Sequence, residues 1–248
     1  MSAHDPERLE AISTRWTMLR RAHEGSLASS VEARNALVLR YRPALRRYVG
    51  GIVRRDSDAD DLTQDILTRL LSGGFAGADP ARGRFRDFLK TAIRNTIRSF
   101  WRRQKQRRSV EFDVGGLEGG DDPAEDLAWT TEWRTSVLDL VWNAMQQQQR
   151  RQPDTLAYTL LKLRAEFPDD TSEELAQKFA EKTGKPLRAD ALRQKLRRAR
   201  LQFVDLLISE LAGTMQEPSP EKIEEELADL GLIDLVRDLL PEDWKERE

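Results

Sequence analysis

An all-α fold is predicted, with two small helical domains joined by an acidic linker, the second a helix-turn-helix, and a short helical C-terminal tail. Three observations predict it. Apolar residues make up 39% and charged residues 34% of the 248 positions, a balance that suits small helical cores better than one large sheet-based core. Apolar positions recur every three to four residues in successive segments, the period of an amphipathic helix. The charge is segregated although the net value is only −2: residues 82–108 carry eleven bases and one acid, and residues 111–132 carry eight acids and no base. Blocks of this kind mark separate electrostatic roles along a chain. The expected domains are 1–108 and 128–213, with the linker at 109–127 and the acidic extension at 214–248.

Residues 1–30 are polar, with a small apolar anchor at Trp16 and Leu19 that suits packing on the following domain. Residues 31–55 read as a helix with Leu37, Tyr41, Leu45 and Tyr48 on one stripe and Arg40, Arg42, Arg46 and Arg47 around the rest. Pro43 predicts a kink or a helix start there. A capping box at 57–60 opens the next helix, with acids at the positive end of its dipole. In it Leu62, Ile66 and Leu70 face a core, while Asp61, Gln64, Asp65 and Thr68 face water. Residues 72–83 are Gly- and Pro-rich and read as a loop.

From Arg84 the helical period resumes with a seam of Phe85, Leu89, Ile93, Ile97 and Phe100. Arg86, Lys90, Arg94, Arg98 and Arg102 stack four residues apart along the other side. Like charges at this spacing repel, and an anionic polymer would neutralise them, so the row points to nucleic acid rather than to a merely solvated face. The acidic helix before it suits a basic protein surface. Residues 109–126 read as a linker able to fold back on the basic helix or to thread a positively charged channel.

A helix at 127–149 is expected around Trp129, Trp133, Val137, Leu140, Val141 and Ala144, with the glutamine tract 146–149 as its end. Another covers 155–167 and stops at Pro168. Thr171 to Glu174 form a capping box for a third, and Gly184 and Pro186 break the chain before a long helix from about Arg188. Two helices, a short break and a basic second helix outline a helix-turn-helix, against the alternative of a plain helical hairpin with a solvated face. Arg193, Gln194, Arg197 and Arg198 lie off its apolar stripe, and Arg and Gln there suit guanine and adenine edges. The tail carries one amphipathic piece, 223–240, suited to docking on a basic neighbour or to a loosely held end.

The absence of cysteine excludes disulfides and thiolate sites. His4 and His23 have no ligand-spaced partner, and read as solvated histidines. The acids at 56, 58 and 60 resemble the start of a calcium loop, but Asp61 stands where Gly is required and Leu67 where Glu is required. No metal, cofactor or catalytic constellation is expected, and no apolar run reaches the about 20 residues a membrane span requires. A cytoplasmic, non-enzymatic protein is the expectation.

These residues resemble a known family, the bacterial RNA polymerase sigma factors of the extracytoplasmic-function (ECF) type. The run from Asp58 through Asp65, DADDLTQD, is similar to the "DAEDLTQE" core-binding helix of region two. Phe85 to Leu89, Arg94-Asn95 and Trp101 to Arg103 resemble that region's promoter-binding helix. The phrase from Ala78 to Arg86, the early Thr14 to Thr17, the acidic linker, the Trp133 helix and the Glu224 to Leu227 tail look like a subgroup common in planctomycete-type bacteria. The second domain departs from the usual region-four pattern in its longer break.

The resemblance implies a sigma subunit that directs core RNA polymerase to specific promoters and assists melting of the −10 element. Asp61, Gln64 and Asp65 would hold the β′ clamp helices, with the β subunit a further partner. Arg86, Lys90, Arg94, Asn95 and Arg98 would track the opening −10 strand, and the 72–83 loop would capture a flipped base. Arg188, Arg193, Gln194, Arg197 and Arg198 would face the −35 element, and the linker would run through the RNA channel. An anti-sigma protein is a candidate regulator. The alternative is a two-domain helix-turn-helix regulator that binds DNA without joining polymerase.

Overall fold

The computed structural model describes residues 27–53, 55–71, 84–107, 123–215 and 217–240, and all regular elements among them are helical. They are α1 (Leu27–Ile52), α2 (Asp56–Leu71), α3 (Phe85–Arg107), α4 (Pro123–Arg151), α5 (Ala157–Glu166), α6 (Ser172–Thr183), α7 (Ala189–Ala212), α8 (Pro220–Asp229) and α9 (Ile233–Val236). The expected anchor near Trp16, the 72–83 loop and most of the linker lie outside the described residues. The chain divides into two compact units. The first holds 27–136 and Leu211–Ser219, and the second holds Val137–Glu210 and 220–240.

In the first unit α1 is continuous through Pro43, so of the two expectations there, a kink or a helix start, the start is corrected. Pro43 is exposed, so the ring and the carbonyl it leaves without an intrahelical partner can face solvent rather than the core. Tyr41, Leu45, Tyr48 and Val49 are buried on α1, Leu62, Ile66 and Leu70 on α2, and Phe85, Leu89, Ile93 and Ile97 on α3. Apart from Val49, which the periodicity did not single out, these lie on the predicted stripes; Phe100 is only half-buried, and the Leu37 side chain lies outside the described residues.

The expected division between linker and second domain is corrected. α4 begins at Pro123, not Leu127, and its first half belongs to the first unit. Trp129 and Trp133 are each 1% exposed. Trp133 stacks on Tyr41 at 5.5 Å between ring centroids, Trp129 meets Tyr48 edge-on at 5.0 Å, and Phe85 closes on Tyr41 at 5.2 Å. This aromatic cluster holds α1, α3 and α4 together. Aromatic pairs at such separations contribute beyond their buried area, so the apolar indoles secure α4 more strongly than an acidic linker could. The tail boundary at 214 is corrected for a similar reason. Leu211, Ala212, Thr214 and Met215 are buried, and Phe85 N–H donates to the Thr214 carbonyl at 3.4 Å.

In the second unit the rest of α4 buries Val137, Val141 and Met145. The glutamine tract is not a helix end, because α4 runs on to Arg151. Gln149 instead caps α5: its Oε1 accepts from Thr159 N–H at 3.0 Å, and its amide donates to the Thr159 hydroxyl at 2.8 Å. α5 has no side-chain cap of its own, and Gln149 supplies a partner for one of the orphan amides of its first turn. The capping box of α6 forms as expected, with Thr171 Oγ1 accepting from Glu174 N–H at 3.2 Å and Glu174 Oε2 accepting from Thr171 N–H at 2.8 Å.

α6 ends at Gly184, which has φ +68° and donates its N–H to the Ala180 carbonyl at 2.8 Å. An added Cβ would meet nothing within 4 Å, so Gly184→Ala should destabilise by about 1 kcal/mol through backbone conformation alone, readable by urea unfolding. The break before α7 spans 184–188. The tail packs within the second unit, with Ile223, Leu227 and Val236 each 0% exposed. Gly231, with φ +63°, turns the chain between α8 and α9.

Candidate functional site

The first unit carries two charged surfaces on adjacent helices. α2 is set against α1 by Arg46, whose guanidinium donates to Asp56 at 2.9 Å and also to Asp60. These hydrogen bonds, Asp56 first, hold the Arg46 pKa above its ordinary value. Asp56 and Asp60 are therefore engaged within the fold. Ala59, Leu62, Thr63, Ile66 and Leu67 are buried, which leaves Asp61 and Gln64 exposed and Asp65 half-exposed on the outer face. The helical period alone predicted this division.

Asp61 and Asp65 line a cleft of about 360 Å³, together with Asp58, Leu62, Phe100, Arg103 and Gln104. Asp65 accepts from Arg69 at 3.2 Å and lies 4.0 Å from Arg103. The cleft thus has an acidic wall from α2 and an aromatic and basic wall from the end of α3. Neither Phe100 nor Arg103 was singled out for this surface by the sequence, because only packing brings the C-terminal turns of α3 beside α2.

The basic row of α3 divides. Asn95, Arg98 and Arg102 are exposed and continue the solvent stripe begun by Thr91. Arg86, Lys90 and Arg94 do not form the expected free face. Arg86 is 7% and Arg94 8% exposed, and Lys90 is half-buried. Asp126 Oδ1 accepts from Lys90 Nζ at 3.1 Å and from Arg94 at 2.7 Å, and Glu125 lies 3.5 Å from the same Arg94 nitrogen. Nearby, Glu132 accepts from Arg47 at 2.6 Å. The physical reason is the aromatic anchoring of α4, which lays its acidic first turn along one side of α3. A row four residues apart also drifts around its helix, so its two ends face different surroundings.

Burial pushes the Tyr48 phenol up, with the adjacent Arg94 partly opposing it. For Asp126, burial would raise the pKa, but Lys90 and Arg94 outweigh it and hold the carboxyl below its usual range. A depressed folded-state pKa means that these contacts contribute stability above the unfolded carboxyl pKa and lose it as pH falls through the folded value. Asp126, facing Lys90, Arg94, Glu125 and Tyr48, should therefore stay ionised to lower pH than a solvent-exposed aspartate, a result that carboxyl NMR titration reads directly.

In the second unit Arg188, Arg193, Gln194, Arg197 and Arg198 are all exposed. Arg188 pairs with Asp190 at 3.0 Å, and Arg193 lies 3.9 Å from Glu173 of α6. Both are exposed pairs of the kind that contributes little and exchanges readily. Leu192, Leu196, Ala199 and Phe203 are buried on the opposite side of α7, so the polar stripe faces outward as the sequence predicts. Among the described residues no helix is long and apolar enough to cross a membrane.

Residues 37–107 match the family model of sigma-70 region 2. The match spans α3, α2 and the later part of α1, and so contains both charged surfaces of the first unit. It supports a sigma-70 family sigma factor, and with it a role in promoter recognition and melting alongside core RNA polymerase. No curated protein and no solved structure matches the chain.

Proposed function

We propose that the chain is a sigma subunit of the ECF type that docks on core RNA polymerase through α2 and opens the −10 element with α3. The carrying observation is that the region-2 match coincides with an outward-facing acidic helix beside an exposed basic one. Asp61, Gln64 and Asp65 would pair with basic side chains of the β′ clamp helices, and the cleft beside them would admit one such side chain against Phe100. Fixed carboxylates opposite basic groups favour register and fast encounter.

On α3, Asn95 and Arg98 of the expected set, joined by Arg102, would contact the strand backbone. Phosphate contacts of this kind position the protein without reading sequence. Exposed Arg188, Arg193, Gln194, Arg197 and Arg198 on α7 would face the −35 element, α6 and α7 acting as a helix-turn-helix with a lengthened turn. The 109–122 segment would follow the polymerase's RNA channel. The amphipathic tail, packed in the unit that carries α7, would tune that unit's access to DNA, and an anti-sigma protein would compete with polymerase for the same charged surfaces.

Co-purification with core polymerase, followed by run-off transcription on a promoter library, tests the assignment. A stoichiometric complex that initiates at a shared promoter sequence is the expected result. DNA binding without polymerase binding would replace it with the free-standing regulator.

A further inference from the structure

On α3, two cations converge on a single oxygen. Asp126 Oδ1 accepts from Lys90 at 3.1 Å and from Arg94 at 2.7 Å, and Glu125 adds a second carboxylate 3.5 Å from Arg94. The Arg94 side chain is 9% exposed, and the Tyr48 phenol lies against it. Two donors from successive turns of one helix, directed at one anionic oxygen, form the arrangement that holds a phosphate oxygen. Further along the same row Arg98 and Arg102 are open to solvent.

We propose that Lys90 and Arg94 form a nucleic-acid phosphate site that the chain fills with its own Asp126 and Glu125, so that strand binding must displace an internal anion. The inference rests on the reading of α3 as the strand-contacting helix and adds to it an intramolecular competitor. The displacement is local. Glu125 and Asp126 lie in the first turn of α4, where helix ends open at low cost. Trp129, 1% exposed, begins the fixed part of the helix one turn later. The acids can therefore leave Lys90 and Arg94 while the aromatic cluster stays packed. Leu127, next in the chain, adds no apolar anchor to that turn, being 69% exposed. The free chain thus presents only the outer part of its basic row, which suppresses binding to arbitrary nucleic acid. A strand held by Arg98 and Arg102 reaches the inner pair as α4 frays.

The test uses the full chain, a labelled single-stranded oligonucleotide and the variant Asp126→Asn with Glu125→Gln. Binding should tighten about 3- to 10-fold, and the log–log salt dependence should steepen by about 1 to 2, roughly one increment for each further phosphate neutralised. Adding Lys90→Gln should remove most of that tightening, while far-UV circular dichroism stays unchanged in every variant. Equal affinity and parallel salt slopes would overturn the proposal. So would a tightening that survives Lys90→Gln, since the acids would then act by net charge alone. Co-purification with polymerase separates the two readings. A chain that joins polymerase but binds the strand no more tightly when the acids are neutralised loses the internal competitor alone. One that binds more tightly without joining polymerase keeps the competitor and loses the sigma assignment.

Discussion

Trp133→Ala should destabilise the first unit by about 3–5 kcal/mol, the cost of removing a fully buried tryptophan. The side chain is 1% exposed, stacks on Tyr41 with 7° between ring planes, and lies 6.5 Å from Phe85. Its loss would open a cavity at the point where α1, α3 and α4 meet. Domains of this size are stable by only about 5–15 kcal/mol, so the variant should forfeit a large share of the total. Urea unfolding of the full chain, followed by far-UV circular dichroism, reads the effect. Trp142 provides the contrast. It is half-buried in the second unit against Tyr158 and Phe203, and its replacement should shift the other unit's transition. A Trp133→Ala loss under about 1 kcal/mol, within the range of ordinary surface changes, would mean that the start of α4 is not part of the first unit's core.

Charge reversal on the outer face of α2 should have the largest effect on function. Asp61→Lys with Asp65→Lys is expected to weaken the complex with core polymerase at least about 100-fold, since disrupting each paired interfacial charge costs about 2–5 kcal/mol. The fold should survive. Asp61 is exposed, and among the described residues Asp65 makes partly exposed contacts with Arg69 and Arg103. The same charge change at Asp154 and Glu181, both exposed in the second unit, controls for net charge and should leave the complex intact. DNA affinity of the reversed variant should hold or rise, because two acids beside a basic helix have become bases. Unaltered polymerase binding by the reversed variant would remove α2 as the docking surface.

Much of this was legible in the residues themselves. A period of 3.6 is a local property, and it placed Tyr41, Leu45, Leu62, Ile66, Phe85, Leu89 and Ile93 inside and Asp61, Gln64, Arg193 and Gln194 outside. Caps are local too, so Thr171 with Glu174 and the stop at Gly184 could be read from four or five residues. What a local pattern cannot carry is which helix covers which face. Nothing in the spacing of Lys90 and Arg94 distinguishes a row open to solvent from one paired with an acid 32 to 36 residues away. By composition residues 109–126 suit a linker, yet α4 starts within that stretch, at Pro123, and Trp129 and Trp133 take it into a core. Buried aromatic area outweighs the solvation of a few neighbouring carboxylates, and once α4 is anchored its first turn has basic partners within reach. By itself the sequence determined an all-helical chain with an acidic face and a basic one. Tertiary packing alone decided that Lys90 and Arg94 of the basic row meet the chain's own carboxylates, because that outcome depends on contacts between segments that no local period encodes.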